Sequence, residues 1–511
     1  MSTEDQNRCV VTFKKGVDTD QAVNELLDAG YELHNEKPDS ISNFDFVMTR
    51  QQAEELKKDD RIVDVRYGSK AENGIIPIST VLDESRNYNR RTTQTNNDYD
   101  WAKVVCNDFS DPFGGQTFLN LSYQMPYNLD GTGVDVVIQD SGVDPNHPEW
   151  LAKDGVVNRY VQHDWPTVSG QNQYTQSSLH YRDVDGHGTH VAGTTVGRLY
   201  GWAKDASLYN IKILDDPGNT FGISASFNMI RGWHNNKGTG RPTIVNMSWG
   251  YFSFYTNING GNYRGTPWSG STMDPNYGMI QFSIRNGEYT HPVRVASVDS
   301  DIQDCINDGI HLVSAAGNSA HKMDVQGGID YDNYFVGSGT NRYYHRGGTP
   351  QAQPGVVCVG NIDYSYTGGQ DWISTSSETG PRVDIWAPGS YIQSALPLGS
   401  NIANNLGGGV TYPLNSSYII GKISGTSMAS PQVCGVLACI LQMRPNLTPA
   451  ESRDLIMDLS QPARVYDSTG STGNDYTDYK ALQGAFNNFL QQRFNNPQTK
   501  KFQGTAFRFS T

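Results

Sequence analysis

One segment in the second half of the sequence has residue types suited to nucleophilic chemistry. Residues 425–431 read Gly-Thr-Ser-Met-Ala-Ser-Pro and lead into the apolar run Val433–Leu441. This pattern predicts a glycine turn that delivers Ser427 to the first turn of a buried helix. There the unpaired backbone N–H groups and the helix dipole favour negative charge, so a hydroxyl can become a nucleophile once a base is near. Without such a base, the string is more typical of an ordinary helix start.

Two segments further upstream supply a base and a carboxylate to orient it. Asp140 follows the strand-like segment Val134–Ile138, and His187 opens a predicted helix in residues 185–193, Asp-Gly-His-Gly-Thr-His-Val-Ala-Gly. A neutral imidazole takes the proton of a serine hydroxyl, and a carboxylate fixes the imidazole tautomer and stabilises its charged form. A strand-end aspartate or a helix-start histidine alone usually has a structural role. The three together predict a catalytic triad of Asp140, His187 and Ser427.

The elements that must position these residues alternate between short apolar strands and amphipathic helices. Predicted strands cover residues 134–138, 208–214, 244–247, 310–316, 356–359 and 383–385. Predicted helices start at residue 187, cover 223–234 and 297–308, and start again at the capping pattern Thr448–Glu451. This alternation predicts an α/β fold with a doubly wound, mostly parallel sheet and functional residues at the carboxyl ends of strands. The Gly-, Asn- and Tyr-rich segments 251–291, 323–354 and 399–412 are predicted to be long loop insertions.

Residues 8–66 are predicted to form a separate small unit with the order β-α-β-β-α-β, a ferredoxin-like α+β arrangement. Asp18 and Thr49 begin the capping patterns of its two helices. An unrelated small α+β domain fits the same pattern, because fold alone does not define function. The predicted organisation is therefore a small domain at 1–70, a linker at 71–96, a large domain at 97–488 and a tail at 489–511. The linker is expected to be exposed, and Arg90–Arg91 within it is a plausible cleavage point.

The composition argues against several classes of partner. The formal charge is −14, whereas phosphate neutralisation requires clustered Lys and Arg, so we expect no nucleic-acid binding. No apolar run approaches the ~20 residues that a membrane helix needs, so we expect no membrane insertion. The six cysteines lack CxxC spacing and are expected to be buried thiols. Because the first residues lack the apolar core of a secretory signal, we expect a cytoplasmic, non-classically exported or virion-associated protein, whose oligomeric state the sequence leaves open.

In the motifs around Asp140, His187 and Ser427 the sequence resembles the subtilisin-like serine proteases, the subtilase or peptidase S8 family. The resemblance covers about residues 97–460. The resemblance rests on residues 140–142, 187–193 and 425–431 and extends to residues 246–250 (Asn-Met-Ser-Trp-Gly), 315–318 (Ala-Ala-Gly-Asn) and 387–389 (Ala-Pro-Gly). It implies a subtilisin-like fold and a serine endopeptidase that hydrolyses polypeptides through an acyl-enzyme. In that family's pattern Ser427 is the nucleophile, His187 the general acid and base, and Asp140 the orienting carboxylate.

The resemblance implies roles for four further residues. Asn318 is expected to donate its side-chain amide to the developing oxyanion together with the Ser427 N–H, although Gly-Asn alone is more often a plain turn. Ser248, Trp249 and Gly250 match the family's edge strand, which pairs with an extended peptide substrate. Because the family commonly has a smaller aliphatic residue where Trp249 stands, we expect a reshaped substrate pocket.

Three residues near the triad are expected to be structural. His190 is expected to pack on its helix face. Gln432 and Cys434 stand where the family usually has His and Ala, and both are expected to face the packed interior. A second nucleophile at Cys434 is disfavoured because buried apolar thiols are inert.

The resemblance also bears on cofactors and partners. The family requires no cofactor for catalysis but often binds calcium; the acidic segment Asp330–Asn333 could supply oxygen ligands or be a solvated turn. Residues 8–66 resemble the family's inhibitor-type propeptide, so the expected partners are a polypeptide substrate and the chain's own amino-terminal domain, as in a zymogen. Two alternatives stay open. One is a structural or assembly protein on a protease scaffold that keeps its propeptide and only processes itself; the other is acyl transfer to an amine other than water.

Overall fold

The structure, a computed structural model, describes residues 7–14, 17–33, 43–67, 81–82, 86–89, 101–107, 120–123, 126–127, 129–255, 257–271, 289–367, 370–462, 465–466 and 480–481. The chain divides into two compact units. The first comprises Met1–Asp83, Pro126–Asn128 and Phe486–Thr511, and the second comprises Glu84–Met125 and Leu129–Ala485. The predicted cleavage point Arg90–Arg91 and the predicted tail 489–511 lie outside the described residues.

An antiparallel sheet and two helices form the described part of the first unit. The elements are β1 (Asn7–Phe13), α1 (Thr19–Asp28), β2 (Glu32–Leu33), β3 (Asn43–Met48), α2 (Arg50–Leu56) and β4 (Ile62–Tyr67), and the sheet order is β2-β3-β1-β4. Asp18 accepts a hydrogen bond from Gln21 N at 3.1 Å, and Thr49 and Gln52 form a capping box. Both predicted helix starts are therefore confirmed. Side chains from the strands and both helices share one apolar core.

Two short strands lie in the predicted linker and pair with strands of the predicted large domain. β5 (Val81–Leu82) pairs with β8 (Pro126–Tyr127), and β6 (Arg86–Asn89) pairs with β7 (Asn120–Tyr123), both antiparallel. Because β5 and β6 lie inside the segment 71–96, part of that segment is paired rather than free. Strands this short depend on partners that are distant in the sequence, so local periodicity does not reveal them.

The second unit is built from eight helices and one large sheet among its described residues. The helices are α3 (Ala102–Asn107), α4 (Trp165–Ser169), α5 (His187–Val196), α6 (Ile223–Asn236), α7 (Ala296–Asn307), α8 (Asn401–Asn405), α9 (Thr426–Met443) and α10 (Pro449–Leu459). The strands of the large sheet are β9 (Asp135–Asp140), β10 (Ser207–Lys212), β11 (Thr243–Met247), β16 (His311–Ala315), β19 (Val357–Thr367), β20 (Gln370–Ile373), β21 (Ile385–Pro388), β25 (Gln461–Pro462), β26 (Val465–Tyr466) and β27 (Lys480–Ala481). Their order is β10-β9-β11-β16-β19-β21-β27-β25, with β20 between β19 and β26.

Helices cover both faces of this sheet. The first six strands in that order are parallel. Val245 and Met247 of β11 pack in an apolar cluster with α6 and α7, whereas Asn246 between them hydrogen-bonds Ser430 of α9. The predicted doubly wound, mostly parallel α/β arrangement is therefore confirmed. The strand predicted at 383–385 instead begins at Ile385.

The predicted loop insertions contain strands. β12 (Phe252–Tyr255) pairs with β15 (Tyr289–Pro292), while β13 (Ile258–Tyr263), β14 (Thr266–Trp268), β17 (Tyr334–Gly337) and β18 (Thr340–Tyr343) form a sheet in the order β14-β13-β17-β18. β22 (Ile392–Leu396), β23 (Val410–Thr411) and β24 (Ile419–Ile423) form another in the order β22-β24-β23. The prediction of loops was wrong at the strands within the insertions, which are β12 to β15, β17, β18 and β23, because pairing across the insertions rather than alternating hydrophobicity forms them. Strands β22 and β24 lie outside the segments predicted to be loops.

Helix α9 lies in the core of the second unit, against β11, β16, β19 and β21. Among the described residues it is the helix long and apolar enough to cross a membrane by length and composition, yet 83% of that segment is buried inside the structure. Its apolar side chains are therefore used in packing the core.

Candidate active site

A buried carboxylate and an imidazole form the centre of the site. Asp140 is the last residue of β9 and is fully buried, and its Oδ1 lies 2.8 Å from Nδ1 of His187, the first residue of α5. Ser141 N donates to the same oxygen at 2.7 Å. Burial lowers the pKa of His187, but the charge of Asp140 and its hydrogen bond outweigh burial and raise the pKa to about 9. When His187 is neutral, the pair keeps the remaining proton on Nδ1 and leaves Nε2 to act as the base.

A second buried carboxylate, Asp183, holds the start of α5. It accepts hydrogen bonds from Ser141 Oγ (3.0 Å), Gly186 N (2.8 Å), and N and Oγ1 of Thr189 (2.9 and 2.7 Å). Ser141 Oγ in turn accepts from Gly188 N at 2.9 Å. Burial raises the pKa of Asp183 to about 6, although these donors lower it. Sequence reasoning missed Asp183, and the available signal was an aspartate shortly before a helix start.

Ser427 is half-buried in the first turn of α9, where its N–H has no acceptor within the helix. Its Oγ donates to the Ser248 carbonyl at 3.3 Å, and within the described residues no hydrogen bond joins it to His187. Helices α5 and α9 both begin at the carboxyl edge of the parallel sheet, so they run in the same direction. Thr195 O lies against Gly435, and these two residues stand equally far beyond His187 and Ser427. Helices α5 and α9 therefore pack against each other about two turns beyond His187 and Ser427.

Asn318 follows β16 and is hydrogen-bonded to Thr426, the residue before Ser427. Its Oδ1 accepts hydrogen bonds from N and Oγ1 of Thr426 at 2.9 and 3.0 Å, and Thr426 Oγ1 accepts from Gly317 N at 3.1 Å. Two donors on Oδ1 fix the orientation of the amide, so Nδ2 is the group left to donate. Because Asn318 is exposed, this N–H group can reach a bound ligand beside the start of α9.

A line of hydrogen bonds joins the end of β11 to the start of α9. Ser430 Oγ donates to Asn246 Oδ1 at 2.8 Å, Asn246 Nδ2 donates to Ser248 Oγ at 2.9 Å, and Ser248 Oγ donates to the Ser427 carbonyl at 3.0 Å. These bonds hold the predicted substrate strand against the start of α9. Asn246 and Ser430 were not predicted as site residues, and their signal was a polar residue inside an apolar string.

Trp249 points into the core rather than toward solvent. It is 8% exposed, its indole N–H donates to Gln139 Oε1 at 3.1 Å, and its ring packs edge-on against Tyr251. A Cβ on Gly250 would come within 2.2 Å of the Gln351 side chain. Any influence of Trp249 on a substrate pocket therefore acts through packing beneath the strand. Gln351, which was not predicted, occupies the space beside Gly250.

His190, Gln432 and Cys434 are packed in the interior, as expected. His190 Nε2 lies 2.9 Å from the Ile392 carbonyl, and burial lowers the pKa of His190 to about 3, so this imidazole is neutral. Gln432 accepts a hydrogen bond from the Trp202 indole in the buried core. Burial raises the pKa of the Cys434 thiol, which disfavours the nucleophilic thiolate. All six cysteines are buried and free, as predicted.

The acidic segment Asp330–Asn333 does not fit a calcium ion. Asp330 is buried, and its carboxylate pairs with Arg264 at 2.6 and 2.9 Å and with Lys322 at 2.6 Å. A calcium ion would have to displace both of these cationic groups. The solvated-turn alternative is also wrong for Asp330, although the side chain of Asp332 is 78% exposed. In the part of the chain that the structure describes, no group of three or more His, Cys, Asp or Glu residues is arranged to hold a metal ion.

This fold and site define an α/β protein with an Asp–His pair and a helix-start serine at the carboxyl edge of a parallel sheet. Comparison with protein-family models agrees with that class. The subtilase family model (peptidase S8) matches residues 131–490, a range that contains Asp140, His187, Asn318 and Ser427. The chain belongs to the subtilase family.

Individual relatives are distant in sequence. The chain is 26% identical over 434 residues to alkaline serine exoprotease A of Vibrio alginolyticus, a match covering 84% of this chain and 58% of that protein. It is 26% identical to subtilisin-like protease 10 of Arthroderma otae (69% and 65% covered) and 27% identical to subtilisin E of Bacillus subtilis (63% and 59% covered). The chain thus spans less than two thirds of the length of these relatives. A crystal structure of a cold adapted subtilisin-like serine proteinase is similar at 23% identity and a TM-score of 0.47, covering 76% of this chain and 99% of that one.

Proposed function

We propose that this protein is a serine endopeptidase that hydrolyses polypeptides through an acyl-enzyme on Ser427. The observation that carries the proposal is the pairing of the buried Asp140 with His187, 2.8 Å apart, at the sheet edge where Ser427 lies in the first turn of α9. Ser427 Oγ attacks the peptide carbonyl while Nε2 of His187 takes the hydroxyl proton and then gives it to the leaving amine. Asp140 stabilises the imidazolium that forms between these steps. Water repeats the sequence and releases the acyl group.

The tetrahedral intermediate carries its negative charge on the former carbonyl oxygen. Asn318 Nδ2 and the Ser427 N–H are the donors for this oxygen, and the bonds from Thr426 to Asn318 Oδ1 orient the amide before substrate arrives. An extended substrate pairs with the edge strand Ser248–Gly250 by β-augmentation. The Ser248 carbonyl, which accepts the Ser427 hydroxyl in this structure, is an acceptor for a substrate N–H once that hydroxyl turns toward the base.

We also propose that the first unit is an inhibitor-type propeptide and that the protein is made as a zymogen. Its β-α-β-β-α-β order, its own apolar core and its position ahead of the family domain in the sequence support this proposal. Cleavage is expected between Gly68 and Asp100.

The test compares the full-length protein with its Ser427→Ala variant. Both are treated with a fluorophosphonate probe and with an unfolded protein substrate, and the products are identified by mass. We expect labelling and cleavage in the wild type alone, with free carboxyl termini in the products even when an added amine competes with water. Cleavage restricted to the segment 68–100 favours the self-processing scaffold protein instead. A wild type that neither labels nor cleaves after this segment has been cut contradicts the peptidase proposal.

A further inference from the structure

Residues 376–379 of the second unit run beside the loop 317–323, which contains Asn318. Four backbone hydrogen bonds join the two segments: Glu378 N to Gly317 O (3.0 Å), Ala320 N to Ser376 O (2.9 Å), Thr379 N to His321 O (2.8 Å) and Met323 N to Thr379 O (2.7 Å). The position of the loop 317–323 is therefore set by the segment 376–379.

The side chain of Glu378 fills the space beneath Gly317. Glu378 is fully buried, and a Cβ built on Gly317 would come within 2.6 Å of its Cγ and 3.0 Å of its Oε1. Gly317 has a φ of +118°, a conformation that favours glycine. The turn that presents Asn318 is thus held between two groups. One is the Thr426 hydroxyl, which accepts a hydrogen bond from Gly317 N, and the other is the Glu378 side chain.

The environment of Glu378 favours an uncharged carboxyl group. Neither of its oxygens makes a hydrogen bond of good geometry with a described residue. Burial raises the pKa of Glu378 well above its usual range, and the nearby backbone amides of His321 and Ser319 lower it by less. The titratable side chains near it include the His321 imidazole and Lys322 of the loop 317–323 and the thiol of Cys358, whose pKa burial also raises. Lys322 pairs with Asp330 at 2.6 Å. A lone charge in such a site is costly, so the proton stays on the carboxyl.

We propose that Glu378 is a positioning residue for the oxyanion donor: its side chain supports the turn at Gly317 and thereby holds the amide of Asn318 in place for catalysis. It contacts no reacting atom and acts through Asn318. Its charge state also matters, because a carboxylate behind this turn would oppose the negative charge that develops on the substrate oxygen. The inference rests on the proposed peptidase function.

The test uses the full-length protein and four variants, Glu378→Gln, Glu378→Ala, Asn318→Ala and the double Ala variant. We expect Glu378→Gln to keep kcat within about threefold, because the amide has the same shape and no charge. Glu378→Ala is expected to lower kcat by about 10²-fold with KM nearly unchanged, since the interaction with the oxyanion is made in the transition state. In the Asn318→Ala background, Glu378→Ala should add almost no further loss, because both changes remove the same contact.

The alkaline limb of the kcat profile gives a second measurement that does not need the Ala variants to fold. In the wild type kcat should fall at the alkaline end as Glu378 ionises, and in Glu378→Gln that fall should be absent. Losses that multiply in the double variant, or identical alkaline limbs in the wild type and Glu378→Gln, overturn the inference. If the wild type labels with fluorophosphonate and either result appears, the inference alone fails. If the wild type does not label, the proposed function fails, and the inference fails as well because it rests on that function.

Discussion

The substitution Asp140→Asn tests the electrostatic basis of the site most directly. The change keeps the size of the side chain and removes the charge that faces His187 at 2.8 Å. The amide that replaces the carboxylate can turn either its carbonyl or its NH₂ group toward Nδ1 of His187. The carbonyl accepts from a protonated Nδ1 and the NH₂ group donates to an unprotonated one, so the tautomer with the proton on Nδ1 is no longer fixed. Both effects lower the fraction of His187 that can take the proton of Ser427.

The magnitude follows from the pKa of His187. Its rise from 6.5 to about 9 corresponds to roughly 3 kcal/mol of stabilisation of the imidazolium, because one pKa unit is worth about 1.4 kcal/mol. The same imidazolium forms in the transition state, so its loss lowers kcat by about 10²-fold. The loss of the correct tautomer extends the total to about 10⁴-fold. KM should change little, since Asp140 is fully buried.

The assay is kcat/KM as a function of pH, which reports the pKa of the free enzyme. His187 must be neutral to act as a base, so wild-type activity should rise with pH around a midpoint of about 9. In Asp140→Asn the midpoint should move down toward 6.5 or lower, because burial remains and the main carboxylate is gone. Asp154→Asn, which removes the same charge from an exposed loop, is the matched control and should leave the profile unchanged. An unchanged midpoint in Asp140→Asn would refute the reasoning.

The same pair gives a stability signature of defined sign. Because the folded pKa of His187 is above its unfolded value, the stabilisation by Asp140 is fully present below pH 6.5 and is lost as pH rises to about 9. Chemical unfolding at a series of pH values should show this loss in the wild type and not in Asp140→Asn. Equal pH dependence in both proteins would contradict the assignment.

Two further predictions concern the residues that support the site and the core. Thr426→Val keeps the shape of the side chain but removes the hydroxyl between Gly317 and Asn318, so kcat should fall by about 10-fold or more while Thr426→Ser retains activity. Arg382→Leu removes a buried partner of Asp384 at 2.9 Å and should lower the free energy of unfolding by about 3 kcal/mol. The exposed Arg182, 3.2 Å from Asp216, is the control, and Arg182→Leu should cost less than about 1 kcal/mol because Asp216 keeps its pair with Lys212; equal losses in thermal unfolding would contradict the role of burial.

Much of the fold was predictable because its signals are local. Apolar strand segments and capping patterns depend on neighbouring residues, so β9, β11, α6 and the capping box of α10 were found from the sequence. The strands of the insertions were not found, because β13 pairs with β17 across a long stretch of chain and neither has a strong alternating pattern. Their pairing is a tertiary property.

The residue types and spacing of three short strings were enough to predict Asp140, His187 and Ser427, since each string combines a functional side chain with the turn or helix start that exposes it. Only the tertiary structure decided what surrounds them. Trp249 faces the core, where Gln139 accepts its indole N–H. Glu378 lies beneath the turn at Gly317 because backbone pairing brings a distant segment there. A local string specifies which groups are present, whereas the distances and burial that set their pKa depend on contacts between segments far apart in the chain.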